Sequence, residues 1–206
     1  MTGKFITFEG IDGSGKSTQL AMLAAELRGR GMDVITTREP GGTPLGEALR
    51  AAFLETSGAV APMAELLSFA ADRAQHVEHL IKPGIASGSV VISDRYADAT
   101  FAYQGAGRGF TEDQVNRVIA LATGGLKPDL TLFFDITPEE AIHRMSSRQD
   151  AKRNRMDDET ADFYTRVRKA YLGISEREPE RFIVLDASGR IDDIHQKVME
   201  IVLPRL

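Results

Sequence analysis

The sequence predicts an α/β fold of three layers, in which helices cover both faces of a five-stranded parallel sheet. Short apolar runs rich in valine, isoleucine and phenylalanine alternate with longer segments whose apolar residues recur every three or four positions. The runs carry few polar residues, as strands buried on both faces require. A length of 206 residues suits one domain over 1–206 with a short insertion.

Strands are predicted at Phe5–Glu9, Asp33–Thr37, Val90–Ser93, Thr131–Asp135 and Phe182–Asp186. The first helix is expected over Gln19–Arg30, where Leu20, Leu23, Ala24 and Leu27 share a face. Further helices are expected over Leu45–Glu55, Met63–Ile85, Glu112–Ala122, Pro138–Arg148, Asp158–Glu176 and Ile191–Leu203. Thr137 before Pro138 reads as an N-cap followed by a first-turn proline. One stretch breaks the alternation. Ser146–Glu159 is almost wholly polar and crowds Arg148, Lys152, Arg153 and Arg155 together. It reads either as a solvated helix end or as a mobile lid that carries positive charge to phosphates.

Composition narrows the function. The chain has no cysteine, which excludes a disulfide framework and a thiolate metal site and fits a reducing compartment. Its apolar runs fall far short of the ~20 residues that span a bilayer, and the N-terminal residues lack a signal-peptide layout. A cytoplasmic protein without a membrane partner is expected. The net charge of −5 argues against a large nucleic-acid surface.

The most informative segment is Gly10-Ile11-Asp12-Gly13-Ser14-Gly15-Lys16-Ser17, which matches the phosphate-loop pattern G-x-x-x-x-G-K-S/T. It follows a predicted strand and opens a predicted helix, as the motif requires. A polyphosphate must be wrapped by backbone N–H groups, and Gly10, Gly13 and Gly15 let the chain curl and approach closely. The helix N-terminus adds partial positive charge. Lys16 is expected on the β- and γ-phosphates, and the Ser17 hydroxyl on Mg²⁺. An Asn-Lys-x-Asp motif for reading guanine is absent. A small phosphate-loop domain with a late arginine-rich insertion suits a nucleotide kinase, whose lid must exclude water from the transferred group.

Three segments then carry a resemblance to a known family. Phe8-Glu9-Gly10-Ile11-Asp12-Gly13-Ser14-Gly15-Lys16-Ser17-Thr18-Gln19 resembles the phosphate loop of thymidylate kinases. Thr37-Arg38-Glu39-Pro40-Gly41-Gly42-Thr43 resembles that family's second motif. Asp94-Arg95-Tyr96, with Thr100 and Ala102-Tyr103-Gln104-Gly105, resembles its third. The likeness is to the bacterial type and runs from Lys4 to about Val202. It implies a P-loop NTPase-type fold, ATP and dTMP as substrates, Mg²⁺ as cofactor, and a homodimer.

The resemblance also implies residue roles. ATP would be held by Gly10 through Thr18, with Arg144 on adenine beside the loop Asp186-Ala187-Ser188-Gly189. The acceptor phosphate would meet Arg38 and Arg95, since two guanidiniums can clamp a dianion. Phe69 and Arg73, four apart on one helical face, would stack on thymine and donate to its O4. Thr100 and Gln104 would lie near the base edge and Tyr103 beneath the sugar. Glu9 and Asp94 are expected to organise Mg²⁺, its waters or the sugar hydroxyl. Eukaryotic-type relatives carry a basic residue where Gly13 stands. Charge on the transferring group is therefore expected from the lid, through Arg153 with Arg148 assisting. Asn154-Arg155-Met156-Asp157 departs from the family's usual Asp-Arg-aromatic-Glu.

A phosphate monoester is already a dianion near neutral pH, its second pKa being about 6, so no general base is needed. His76, His79, His143 and His195 are read as structural or exposed, the first two on a polar helix face. Two other readings stay open on sequence. A deoxynucleoside kinase would need a carboxylate base for a 5′-hydroxyl, for which Glu39 is available. A non-catalytic switch would need only nucleotide occupancy.

Overall fold

The computed structural model describes residues 3–56, 58–146 and 159–206. Five parallel strands, β1 (Lys4–Glu9), β2 (Val34–Arg38), β3 (Val90–Asp94), β4 (Leu130–Asp135) and β5 (Phe182–Asp186), form one sheet in the order β2-β3-β1-β4-β5. Every predicted strand is present, within a residue or so of its expected ends. β1 lies at the centre, with Ile6 level with Ile92 of β3 on one side and Leu130 of β4 on the other. Its neighbours are therefore later strands, and the crevice beyond its C-terminal end is the switch point where such sheets bind ligands.

The period of two along β1 divides its side chains between the faces. Ile6 and Phe8 join Leu20, Leu23 and Leu27 of α1 (Lys16–Gly29) and Val198 and Val202 of α9 (Ile191–Val202) in the larger core. On the other face, Phe5 packs with Val77, Ile81, Val91 and Tyr96. Deleting a large side chain from such a core costs about 2–5 kcal/mol, so the sheet is a rigid platform for the loops at its C-terminal edge.

Two helices depart from the simple expectation. The segment predicted as one helix over Met63–Ile85 is α3 (Pro62–His76), then a π-helical turn over Val77–Ile81, then α4 (Lys82–Ala86). Pro83 explains the widened turn: it has no N–H to donate, and its ring crowds the carbonyl four residues back. After β3, α5 (Ala97–Thr100) runs directly into a second π-helical stretch, Phe101–Gly107. The remaining helices are α2 (Pro44–Leu54), α6 (Glu112–Thr123), α7 (Pro138–Ser146) and α8 (Ala161–Arg177). The Thr137 hydroxyl accepts from the Glu140 N–H at 3.2 Å, as an N-cap does. Arg148, Lys152, Arg153 and Arg155 lie outside the described residues.

Candidate active site

The phosphate loop leaves β1 at Gly10 and enters α1 at Lys16. Gly10, Gly13 and Gly15 take φ values of 150°, 88° and 87°, which L side chains rarely adopt. The Ser14 N–H closes a turn on the Ile11 carbonyl at 3.2 Å. Lys16 Nζ lies 3.5 Å from Asp12 Oδ1 and 3.8 Å from Asp94 Oδ1. The Ser17 hydroxyl donates to Asp94 Oδ2 at 2.6 Å, and Thr18 follows on the exposed start of the helix.

A second cavity opens beside this loop. Its walls include Asp12, Glu39, Pro40, Arg50, Leu54, Phe69, Arg73, Arg95, Ala99, Thr100, Tyr103 and Gln104. Six of the expected acceptor residues thus meet in one place, Phe69, Arg73, Arg95, Thr100, Tyr103 and Gln104, and Arg95 is tied to Asp12 of the phosphate loop. The Phe69 ring packs against Phe53, centroids 4.6 Å apart. Arg73 is buried and fixed by three donations, from Nε to Glu39 Oε2 (2.8 Å), Nη1 to Thr100 Oγ1 (2.8 Å) and Nη2 to the Tyr96 carbonyl (2.9 Å).

Arg95 joins the two halves. Its Nη2 donates to Asp12 Oδ1 at 2.8 Å and to Tyr103 Oη at 3.0 Å, and its guanidinium lies 4.7 Å over the Tyr103 ring. Nη1 is buried and has no hydrogen-bond partner within the protein. A buried donor on a cation is costly to leave unmatched, and an anionic oxygen would satisfy it. Burial alone would lower the Arg95 pKa, but Tyr103, Asp12 and their neighbours hold it well above its ordinary value. Burial pushes the Asp12 carboxyl up, yet Arg95 and Lys16 outweigh it and keep the group well below the usual carboxylate range. Arg95 also has φ 76°, the only non-glycine residue with positive φ among those described. Such strain persists where surrounding contacts over-determine a geometry.

The structure places several expected residues away from the cavity or among other partners. Glu9 does not face either cavity. It is fully buried, accepting from the Tyr96 N–H at 2.8 Å and the Tyr171 hydroxyl at 2.7 Å. Burial, with the nearby Asp98 charge, pushes its pKa up to about 8. It is the last residue of β1 on the face covered by α8, which is why it packs inward. Arg38 does not line the cavity either: it is half-exposed and donates to both oxygens of Glu47 at 3.2 and 3.0 Å. Arg50, which the sequence reading missed, stands in the wall instead, its Nη1 on the Pro40 carbonyl at 3.0 Å. Burial and the charge of Arg38 lower its pKa. His76 is not on a polar face. It is buried, 2.7 Å from Thr37 Oγ1 and 2.9 Å from Glu39 Oε1. Glu39 is thereby committed to His76 and Arg73, which leaves it no free oxygen to serve as a base.

Arg144 of α7 pairs with Glu140 and donates to the Ala187 carbonyl at 3.0 Å. The two features expected around adenine therefore meet. Arg148 and Arg153 fall outside the described residues.

A phosphate loop at the edge of the central strand, joined through one ion pair to a second anion-seeking cavity, defines a P-loop nucleotide kinase. The family model "Thymidylate kinase" matches residues 8–198. A thymidylate kinase of Chlorobium chlorochromatii is 45% identical over 210 residues, covering 98% of this chain and 95% of its own. One of Clavibacter michiganensis is 48% identical over 197 residues, covering 94% and 92%. The crystal structure of the Ehrlichia chaffeensis thymidylate kinase superposes with a TM-score of 0.78 at 34% identity, covering 98% and 99% of the two chains. The chain belongs to the thymidylate kinase family.

Proposed function

We propose that this enzyme transfers the γ-phosphoryl group of ATP to dTMP, giving dTDP and ADP. The observation that carries the reading is Arg95, a residue of the cavity wall: its Nη2 is pinned to the phosphate loop through Asp12, and its Nη1 is buried without a hydrogen-bond partner. This arrangement supports two phosphate chains meeting end to end. ATP would occupy the phosphate loop, with Lys16 on its phosphates and Arg144 on adenine. The acceptor phosphate would meet Arg95 and Arg50, and the base would lie between Phe69 and Arg73. Catalysis is then alignment and charge neutralisation.

Ser17 Oγ and Asp94 suit Mg²⁺, which takes oxygen ligands. Asp94 Oδ1 is buried without a hydrogen-bond partner, and such an oxygen fits a bound cation or its water. When bound, the ion would neutralise charge on the phosphate oxygens. Arg153, with Arg148, is proposed to complete that neutralisation from a lid at about 146–159 on a single domain.

The rival reading, phosphorylation of a 5′-hydroxyl, needs a carboxylate base, and Glu39 is tied to Arg73 and His76. A homodimer is proposed because Leu45, Met63, Leu67 and Leu121 are exposed apolar residues on α2, α3 and α6. No described helix is long and apolar enough to cross a membrane; a cytoplasmic site of action is part of the proposal. The test is ADP release with dTMP, dUMP, dCMP, AMP and thymidine in turn. Fastest turnover with dTMP is expected, and consumption of thymidine but not dTMP would overturn the assignment.

A further inference from the structure

Gln104 stands in the wall of the acceptor cavity and is 2% exposed. A primary amide has a donor end and an acceptor end, and a base pocket reads opposite partners depending on which end faces it. Here one end is taken. Nε2 donates to Glu65 Oε1 at 2.7 Å. Glu65 belongs to α3 and is fully buried, and Arg108 donates from Nε to both of its oxygens at 3.1 and 3.3 Å. Arg108 is anchored in turn, by Nη2 on Glu159 at 2.6 Å and by its guanidinium 4.8 Å over the Phe163 ring.

A carboxylate paired with arginine accepts hydrogen bonds and donates none. The amide can satisfy Glu65 only with its NH₂ group, so Oε1 is the end left for the cavity. This fixes the polarity of the pocket. Arg73 supplies donors and Gln104 an acceptor. Thymine offers the complement, an acceptor at O4 beside a donor at N3–H. Cytosine offers a donor at N4 beside an acceptor at N3, a mismatch at both atoms.

We infer that Glu65, held by Arg108, is a specificity-determining positioning residue: it turns the Gln104 carbonyl toward the base and so selects a pyrimidine that carries N3–H. This inference rests on reading the cavity as the dTMP pocket. No other residue need touch the base for Glu65 to act, because its effect passes through one amide.

The experiment compares kcat/KM for dTMP and dCMP in the parent and in Glu65→Gln. The substituted amide keeps the shape but can present either end to Gln104, which is then free to turn over. The dTMP-to-dCMP ratio should fall about tenfold, chiefly through the KM for dTMP. In a Gln104→Leu background, Glu65→Gln should leave the ratio unchanged, because the amide it orients is gone. An unchanged ratio in the single variant, or the same fall in the Gln104→Leu background, overturns the inference. Should Glu65→Gln fail to fold, 3-deaza-dTMP, with C–H in place of N3–H, gives a second measurement. Its affinity should fall about tenfold below that of dTMP in the parent and match dTMP in Gln104→Leu; an equal loss in both overturns the inference. A parent enzyme that does not phosphorylate dTMP at all would instead remove the functional reading and leave the Glu65–Gln104 coupling to be read by binding alone.

Discussion

The Ala141 carbonyl of α7 stands 2.6 Å from where a Cβ on Gly13 would be. The first turns of α7, which lead toward the arginine-rich segment, are thus seated directly on the phosphate loop. Gly13→Ala should strain a residue at φ 88° and push α7 outward. We expect a loss on the order of 2 kcal/mol, read as a fall in Tm of roughly 4–8 °C, together with a raised KM for ATP. Gly13→Arg should also fail to restore turnover lost in Arg153→Ala, because the side chain has no path past the Ala141 carbonyl. Unchanged Tm and KM in Gly13→Ala would show that α7 yields freely.

On the proposed reading, the Arg95–Asp12 pair joins the donor and acceptor sites, so its loss should be felt on the acceptor side first. Arg95→Ala removes the buried donor and leaves Asp12 without its strongest partner. A fall in kcat/KM for dTMP of ~10²-fold or more is expected, as for other truncations of buried charge pairs. Asp12→Asn retains an oxygen for Arg95 but removes the charge that pre-orients it. About tenfold weaker dTMP binding is expected there, with a smaller change for ATP. Calorimetric titration of each nucleotide separates the two. Equal losses for both nucleotides would contradict the acceptor-side role.

The parts of this site that could be read in the sequence are the local ones. Gly10 to Ser17 announces itself because one short segment supplies the backbone curl, the cation and the hydroxyl. The strands were legible because five buried runs need no partner to look buried. What escaped depends on residues far apart in the chain. Glu39 meets His76 across 37 positions and Gln104 meets Glu65 across 39, and no spacing rule reaches so far. His76 reads as solvated beside Glu78 and His79, yet the π-helical turn follows directly and the ring is buried against β2. Arg38 matched the family's phosphate-binding position, but Glu47 of α2 folds back onto it. Arg50 carries no motif at all and is found only once α2 is placed against the cavity. Glu9 sat beside the phosphate loop in sequence, while the pleat of β1 turns its side chain to the opposite face.

The exposed apolar residues make a prediction about assembly. Leu67 of α3 is 53% exposed and Leu121 of α6 is 84% exposed, and α3 lies between α2 and α6 in contact with both. Exposed apolar residues on adjacent helices are what a partner chain would bury, and the proposed homodimer would use this face. Sedimentation equilibrium of the parent should give twice the 22.5 kDa chain mass. Leu67→Arg combined with Leu121→Arg should give the monomer mass. A parent that already sediments as a monomer, or a double variant that stays dimeric, would exclude this face as the interface.

Two buried carboxyls set an expected dependence of stability on pH. Burial, with Asp98 nearby, raises Glu9 from 4.5 to about 8, and burial with Glu39 nearby raises Asp72 from 3.8 to about 7. Asp72 Oδ1 accepts from the Gly41 N–H at 3.0 Å, while Oδ2 has no partner. Between its unfolded and folded pKa, each group is protonated in the native protein and ionised in the unfolded chain. The folded state therefore binds more protons there, and stability falls as pH rises. The stabilising contribution is complete below about pH 4, declines through the window, and is gone for Asp72 above about 7 and for Glu9 above about 8. Glu9→Gln holds a neutral group in the same place, accepting from Tyr96 and Tyr171 through its single carbonyl oxygen by turns. Relative to the parent it should gain stability steadily from pH 5 to pH 8, by an amount on the order of a few kcal/mol. Thermal denaturation of both proteins across that range measures the difference. A gap between parent and variant that stays constant with pH would mean that Glu9 keeps its charge when folded.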